Sequence, residues 1–572
     1  MNNTSILSVM KYAIFLLLIS ISFKIYSQES NPFVKFNGTI SLSYENYSFS
    51  EENYSSFRAR YPGSLFRFSA NTTFQIGEYL SIPMGIDFSN QETTYNLPSL
   101  PEEGFFNYIQ NPRNNIHINP TYKWINGKLG SHTPMYSELT TGDIQIFGIG
   151  FDINPGKFIF SMSYGKSQHA IEPDLLLNIP GAYKQNLLTT RIGYGKINGS
   201  KVTLNLVKIK DDVNSVIEEP LGFKPKEGIS ISPYVELKIT KNLRLKTETA
   251  LSIFTENLTA DADLIDDGII NGLNSFMSIN NSSVMDYSHL TNLQWTTDNV
   301  TLGGEVKYIG PGFMPVGYRN IENDIIDYKL ISGFKLLKRK LIINAIIGQR
   351  TNNIKETKLN RNKRFIGNLN LLAQLSEKFT LNTTYSNFGF RNNAIDDALR
   401  IEMVNNSFSI TPTYQIRSKK AFQQASITAS FDQFNQYDVF SDADINTTNN
   451  SYNANYLISF IKSPLNLGVN FMYLQNKSEI SDLNLTNYSV NLGYKFLEKK
   501  LSTSMFITLM NMKRTEFTAD NRLNIRAKFN YKINKGFTIN MSYNLNNNKY
   551  GSYRPDAITR EHKIQISIIK KI

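Results

Sequence analysis

The 572-residue chain contains no cysteine. Disulfides, thiol catalysis, cysteine-ligated metals and a lipidated N-terminal cysteine are thereby excluded. Histidine is scarce, and His117, His132, His169, His289 and His562 show neither metal-ligand spacing nor a HExxH pattern. They are read as background polar residues, and no cofactor is expected. After residue 30 no apolar run reaches the ~18 residues that a membrane-spanning helix requires. A basic recognition helix is also missing. The 60 Lys and Arg outnumber 48 Asp and Glu, but they are spread along alternating segments and turns. The formal charge of +12 permits attraction to anionic lipids or acidic polymers, while nucleic acid is not expected as a partner.

What the chain does contain is alternation. From Leu523 the odd positions read Leu523, Ile525, Ala527, Phe529, Tyr531 and Ile533, and the even positions between them read Asn524, Arg526, Lys528, Asn530 and Lys532. A strand with one apolar and one wet face has this period of two. After Asn534-Lys535-Gly536 the pattern resumes with Phe537, Ile539, Met541, Tyr543 and Leu545, which makes a hairpin with a tight turn. Each arm has about ten alternating residues, the length a tilted strand needs to cross a bilayer. The 31 Tyr and 37 Phe suit many half-apolar strands.

Taken in order, residues 1 to 27 read as a secretory signal: Lys11, an apolar core from Tyr12 to Phe23, and a cleavage site at Ile25-Tyr26-Ser27. Alternation begins at Phe36, leaving residues 28–572 as one barrel with no separate plug domain. Tight turns are expected at Gly77-Glu78, Asn126-Gly127, Asn154-Pro155-Gly156, Asn198-Gly199, Lys241-Asn242, Asp298-Asn299, Lys338-Arg339, Glu377-Lys378, Ser418-Lys419, Ser463-Pro464, Glu498-Lys499 and Lys535-Gly536. Longer polar loops fall between them, such as Gln91 to Asn114, Glu256 to Ser283 and Phe434 to Asn450. This alternation of short and long connections predicts an all-β fold, a single up-and-down transmembrane β-barrel of about 26 antiparallel strands (about 24 to 26), with the short turns and both termini on the periplasmic side. Two segments fit poorly: Lys128 to His132 is short, and Ile144 to Ile153 changes apolar phase near Ile146-Phe147, which a bulge would explain. A soluble sandwich would also alternate, but so many one-sided strands would need a second layer over their apolar faces.

The signal, the immediate meander, the Asn/Tyr/Ile-rich strands, the short basic turns and the long polar loops together resemble the outer-membrane barrels of Bacteroidota. The resemblance covers nearly all of the mature chain. It is architectural, and it carries no functional residues onto named positions.

Candidate chemistry centres on the penultimate hairpin. If Leu523 and Ile525 face lipid, then Arg522, Arg526, Lys528 and Lys532 form a lumen-lining basic strip beside Ser502, Ser504 and Thr508 on one side and Thr538, Asn540 and Ser542 on the other, with no local carboxylate. Such a strip would bias permeation or binding toward acidic solutes, or loops would fold in to pair its charges, or it would simply line water. Arg244, Lys246 and Glu248, like Glu305 and Lys307, mix charge instead. No metal site is expected; Asp261, Asp263, Asp266 and Asp267 offer Ca²⁺-type oxygens, but the spacing departs from an EF-hand loop and reads better as a solvated acidic loop. Trp124 and Trp295 fall beside tight turns, as girdle aromatics would. The basic turns, including Lys338-Arg339-Lys340, Lys419-Lys420 and Lys499-Lys500, would meet anionic headgroups or discourage edge pairing. The last strand carries Ile564, Ile566 and Ile568 on its lipid side and ends at Ile572, where barrel-assembly machinery would engage it. No Ser/His/acid or Asp/His group gathers at one rim, so the chain is read as non-enzymatic. Three functions remain open: a channel for polar, and in one version anionic, solutes; a scaffold or outlet of a surface export or adhesion complex with envelope protein partners; and, ranked last, an outer-membrane enzyme.

Overall fold

The computed structural model describes residues 33–53, 57, 59–89, 109–110, 114–174, 176, 179–261, 275–318, 322–355, 363–391, 401–438, 443–478, 482–552, 554–555 and 557–572. The expected signal segment, residues 1–27, lies outside them.

Every strand pairs antiparallel with its neighbours in sequence, from Val34–Glu52 onward, and the last strand, Ile558–Lys571, returns to pair with the first over Thr39 to Glu52. The sheet therefore closes on itself. Two short pieces, His117–Ile118 and Thr121–Tyr122, lie end to end between Leu80–Ser89 and Ile125–His132. They form one interrupted strand, so the ring has 26 strands in up-and-down order.

The sequence alternation becomes two faces. Phe529 and Tyr531 are 40% and 37% exposed on one face of Asp520–Lys532, and Ile149, Tyr194 and Leu330 are likewise uncovered on theirs. Among the described residues no second layer covers this apolar face, which departs from a sandwich and suits hydrocarbon. Closure satisfies the strand edges that lipid could not. Trp124, in the tight turn that follows Tyr122, and Trp295, beside the one that follows Thr296, are exposed.

Three sequence expectations are corrected. The turn placed at Asn126-Gly127 lies earlier, at Lys123-Trp124, where Lys123 takes φ 50°. Gly127 is a strand residue opposite Phe151, and a Cβ there would come within 2.9 Å of the Pro120 ring, so this glycine serves close approach and not a turn. Phe434 to Asn450 is mostly strand: Ala421–Asp438 pairs with Ala443–Phe460, with Phe434 opposite Thr447. Past the lipid both faces of a strand are wet, so its alternation disappears while its hydrogen bonds continue. No bulge explains the phase change near Ile146, because the strand Ile146–Ile153 begins there and Ile144 belongs to the connection before it.

Candidate functional site: two stitched segments and the wall across from them

Two of the long connections, residues 133–145 and, among the described residues of the second, 310–318 and 322–324, turn inward and pack against the barrel's inner wall. The strands behind them have apolar residues on both faces. In Lys201–Asp212, Val202 and Leu204 are exposed outside while Val207 and Ile209 are buried inside. Val207 and Ile209 join Leu187, Ile146, Ile144 and Val316 in one inner cluster, with Phe254 at its border. Leu139, Ala250, Ile309, Phe313 and Ile325 form a second, beside Leu290. Burial of these side chains, each contributing about 1.5 to 3 kcal/mol, holds the inward segments down.

Polar contacts fix their course. Glu248, almost fully buried on Leu243–Thr255, accepts from the Ser137 hydroxyl and, at 3.2 Å, from the Glu138 amide. Ser252 Oγ accepts from the Met314 amide at 3.2 Å, Asp286 accepts from the Gly312 amide at 2.8 Å, and Tyr136 meets Ser163 at 3.1 Å. The segments are also joined to each other. Gly317 N donates to Thr140 O at 2.9 Å and Gly142 N to Gly317 O at 3.2 Å. A Cβ at Gly317 would collide with the Thr140 carbonyl, so only glycine permits this crossing. Tyr318 donates its hydroxyl to the carbonyls of Ser137 and Glu138, both at 3.1 Å. Burial, reinforced by Glu248, Asp143 and Glu138, pushes its phenol up to about 12, which keeps it a neutral donor. Glu138 and Asp143 remain exposed on the segment's far side.

Next to the segments the inner wall carries networks of paired charge. Arg350 holds Asp327 through Nε and Nη2, at 2.6 and 2.7 Å, and also pairs with Glu322 from the inward segment. Lys329 bridges Glu305 at 2.9 Å and Asp327 at 3.5 Å. Nearer the tight turns, Glu236 takes Lys201 at 3.1 Å and Arg244 at 3.2 Å. Glu248, Arg244 and Glu305 were legible only as mixed charge, and their task as anchors was missed. The available signal was apolar residues on both faces of the same strands, as at Leu206-Val207, Ala250-Leu251 and Ile253-Phe254.

In the ring of 26, Leu243–Thr255 is the eleventh strand and Asp520–Lys532 the twenty-fourth, thirteen positions away and so directly across. Glu248 lies five residues in from the tight-turn end of its strand, and Arg526 six residues in from the same end of the other. The predicted basic residues share the face opposite to Phe529 and Tyr531, but they do not act as one group. Arg522 lies 3.9 Å from Asp520, a buried carboxylate that also takes Arg514 at 3.2 Å and the Gly551 amide at 2.7 Å. The expectation of no local carboxylate is therefore wrong at this end of the strip. Asp520 stands two residues before Arg522 on the same face and could have been found by the period of two. Among the described residues Arg526, Lys528 and Lys532 make no ion pair. Their cross-strand neighbours are Phe506 and Asn544, Ser504 and Ser542, and Thr538; Phe506 is the one apolar side chain the sequence reading left out of this set. No apolar cluster of described residues covers this side from within.

The acidic-loop candidates Asp263, Asp266 and Asp267 lie outside the described residues, and Asp261 is placed at its edge, where its carbonyl accepts from Asn281. Among the described residues no three His, Cys, Asp or Glu side chains gather as a metal site would require. His289 sits between Thr249 and Thr291, and His562 beside Tyr543, far from one another along the ring.

No family model matches the chain, and no curated protein matches it. Among solved structures it is similar to the P pilus usher (PapC) translocation pore, at 8% identity and TM-score 0.32 over 94% of this chain and 99% of that one. It is also similar to Acinetobacter baumannii OccAB4, at 13% identity and TM-score 0.29 over 65% and 97%. Pseudomonas aeruginosa OpdK with vanillate gives 8% and 0.30 over 61% and 93%. At such scores the likeness carries no argument about function, and the closed 26-stranded antiparallel barrel stands on the strand pairing itself.

Proposed function

We propose that the protein is an outer-membrane channel for polar solutes, with its water path between the stitched segments and the wall formed by Asp520–Lys532. Arg526, Lys528 and Lys532 line that path and bias it toward anions. The observation that carries this reading is the contrast of charge: among the described residues three cations stand without an ion pair on a wall that no apolar cluster covers, directly across from carboxylates that are engaged in holding inward segments. Fixed charge at a wet constriction concentrates counter-ions and sets the sign of permeation. Purified protein in planar bilayers is expected to give discrete conductance steps, with a reversal potential under a salt gradient that indicates anions. Arg526→Glu with Lys528→Glu is expected to shift that potential toward cations. A protein that inserts and never conducts would end the proposal.

A second reading, a scaffold or outlet of a surface export or adhesion complex, draws on one feature of the long-loop end. Glu172 accepts from the Ile217 and Glu218 amides at 3.1 Å or less and 3.4 Å, and Leu221 N donates to Pro180 O at 2.7 Å, so two neighbouring loops are tied together. They nonetheless leave Leu176 and Ile217 97% and 94% exposed. Crosslinking in intact cells that captures only this chain would count against it.

A further inference from the structure

We propose that the outward face of the strands Phe158–Gln168, Lys184–Gly195 and Lys201–Asp212 holds one phosphate-bearing lipid of the outer leaflet, its acyl chains on the apolar wall and its phosphate among lysines. The register places the parts. Moving away from the tight turns, the shared face carries Tyr194 and Val202, then Ile192 and Leu204, all exposed and apolar. Past the row of Met162, Thr190 and Leu206, Tyr164, Leu188 and Lys208 stand side by side. Beyond them come Lys166, Asn186 and Lys210, and at the rim Lys184 faces Asp212. A cavity opens here, with Tyr164 and Leu188 on its apolar side and Lys208 and Lys210 on its charged side. This is the end that bears the long connections, so the boundary between apolar wall and lysines falls at the outer headgroups.

The charges are arranged to leave cationic capacity. Lys208 and Lys210 share a single carboxylate, Glu227, at 3.0 and 3.2 Å, and Glu227 is completely buried. It orients both ammonium groups while neutralising only one. Lys184 reaches Asp212 at 3.4 Å, and the Gln110 side-chain oxygen accepts from Lys166 at 3.0 Å. Asp211 also borders the cavity, but its two oxygens accept from Gln185 at 2.9 Å and the Lys226 amide at 3.0 Å. Among the described residues, Lys184, Lys208 and Lys210 thus stand against two carboxylates on the outward face, Glu227 and Asp212. Lysine is a compact point charge that suits a phosphate, and its stem lies along the apolar wall. A soluble anion has no use for Tyr164 and Leu188, and a neutral lipid has none for the lysines.

The test uses the full chain purified in detergent, incubated with diphosphorylated lipid A, with the same lipid after enzymatic dephosphorylation, and with inorganic phosphate, and read by native mass spectrometry. One phosphorylated lipid per barrel is expected to survive delipidation. Lys208→Gln with Lys210→Gln is expected to weaken retention about tenfold to thirtyfold, from roughly one kcal/mol per lysine near a membrane surface. Because that pair leaves Glu227 buried without a cation, Lys166→Gln with Lys184→Gln is the companion variant; it keeps the Glu227 contacts and is expected to weaken retention in the same direction. Channel conductance of both variants is expected to match the parent protein, since these residues face away from the lumen, and this separates failure here from failure of the channel reading. Equal retention by both variants, equal retention of the dephosphorylated lipid, or full displacement by inorganic phosphate would each overturn the proposal.

Discussion

The inner wall has two halves that use charge in opposite ways. From Ile125 to Asn352 it carries weight: Glu248, Ser252 and Asp286 hold inward segments, Asp327 and Glu322 hold Arg350, and apolar side chains fill the space between. Across the ring, Arg526, Lys528 and Lys532 hold nothing among the described residues. An inward-facing charge in a closed barrel is therefore of two kinds. One kind is part of the packing and is neutralised. The other faces water and stays available to solutes.

The strongest way to break this comparison is at Arg350. Arg350→Met takes from Asp327, fully buried, its two shortest charge contacts and leaves it Lys329 at 3.5 Å, and breaking a buried pair in this way costs about 3 to 5 kcal/mol. Urea unfolding of the refolded barrel is the measurement, and a change within about 1 kcal/mol would mean that this half is not built on the network. Glu248→Ala ranks next. It strips the acceptor from Ser137 and from the Glu138 amide, at about 1 to 3 kcal/mol. Single-channel conductance is expected to rise as residues 133–145 come away from the wall, and an unchanged conductance would place the water path elsewhere. Tyr318→Phe removes one hydroxyl that serves two carbonyls, at about 1 kcal/mol. Its expected trace is noisier open-channel current, with the mean conductance close to that of the parent.

The closed ring was legible because each membrane-crossing strand must alternate and each connection on one side must be tight. Leu523 to Ile533 states both requirements in one stretch. Strand ends were not legible at Phe434 to Asn450, where water on both faces erases the period while the ladder continues to Asp438. The inward segments were missed for a different reason. In sequence Ile144 reads as the start of a strand and Leu139 draws no reading, and their partners Val207, Ile209 and Ala250 are only half of a pattern until the other half is placed beside them. Which charges become anchors depends on contacts such as Ser137 with Glu248, 111 residues apart, and no local spacing encodes that meeting. Asp520 is the exception, since it lies on the same strand face as Arg522 and within reach of the period that located the strip.

The smallest effect on stability is expected on the uncovered wall, and there it is most informative. Lys528 is exposed, its cross-strand neighbours are Ser504 and Ser542, and it has no ion pair among the described residues, so Lys528→Gln removes no partner from any buried group. A surface change of this kind normally stays within about 0.5 kcal/mol. If the residue merely decorates a wet wall, the reversal potential under a salt gradient will be that of the parent protein. If it stands beside the permeation path, the potential moves toward cations at low salt, and the shift shrinks as salt rises and the Debye length falls from about 10 Å at 0.1 M toward 3 Å at 1 M. Lys329→Gln supplies the matched control. It removes the same charge from the opposite wall, where Glu305 and Asp327 already neutralise it, and it is expected to alter unfolding more than selectivity.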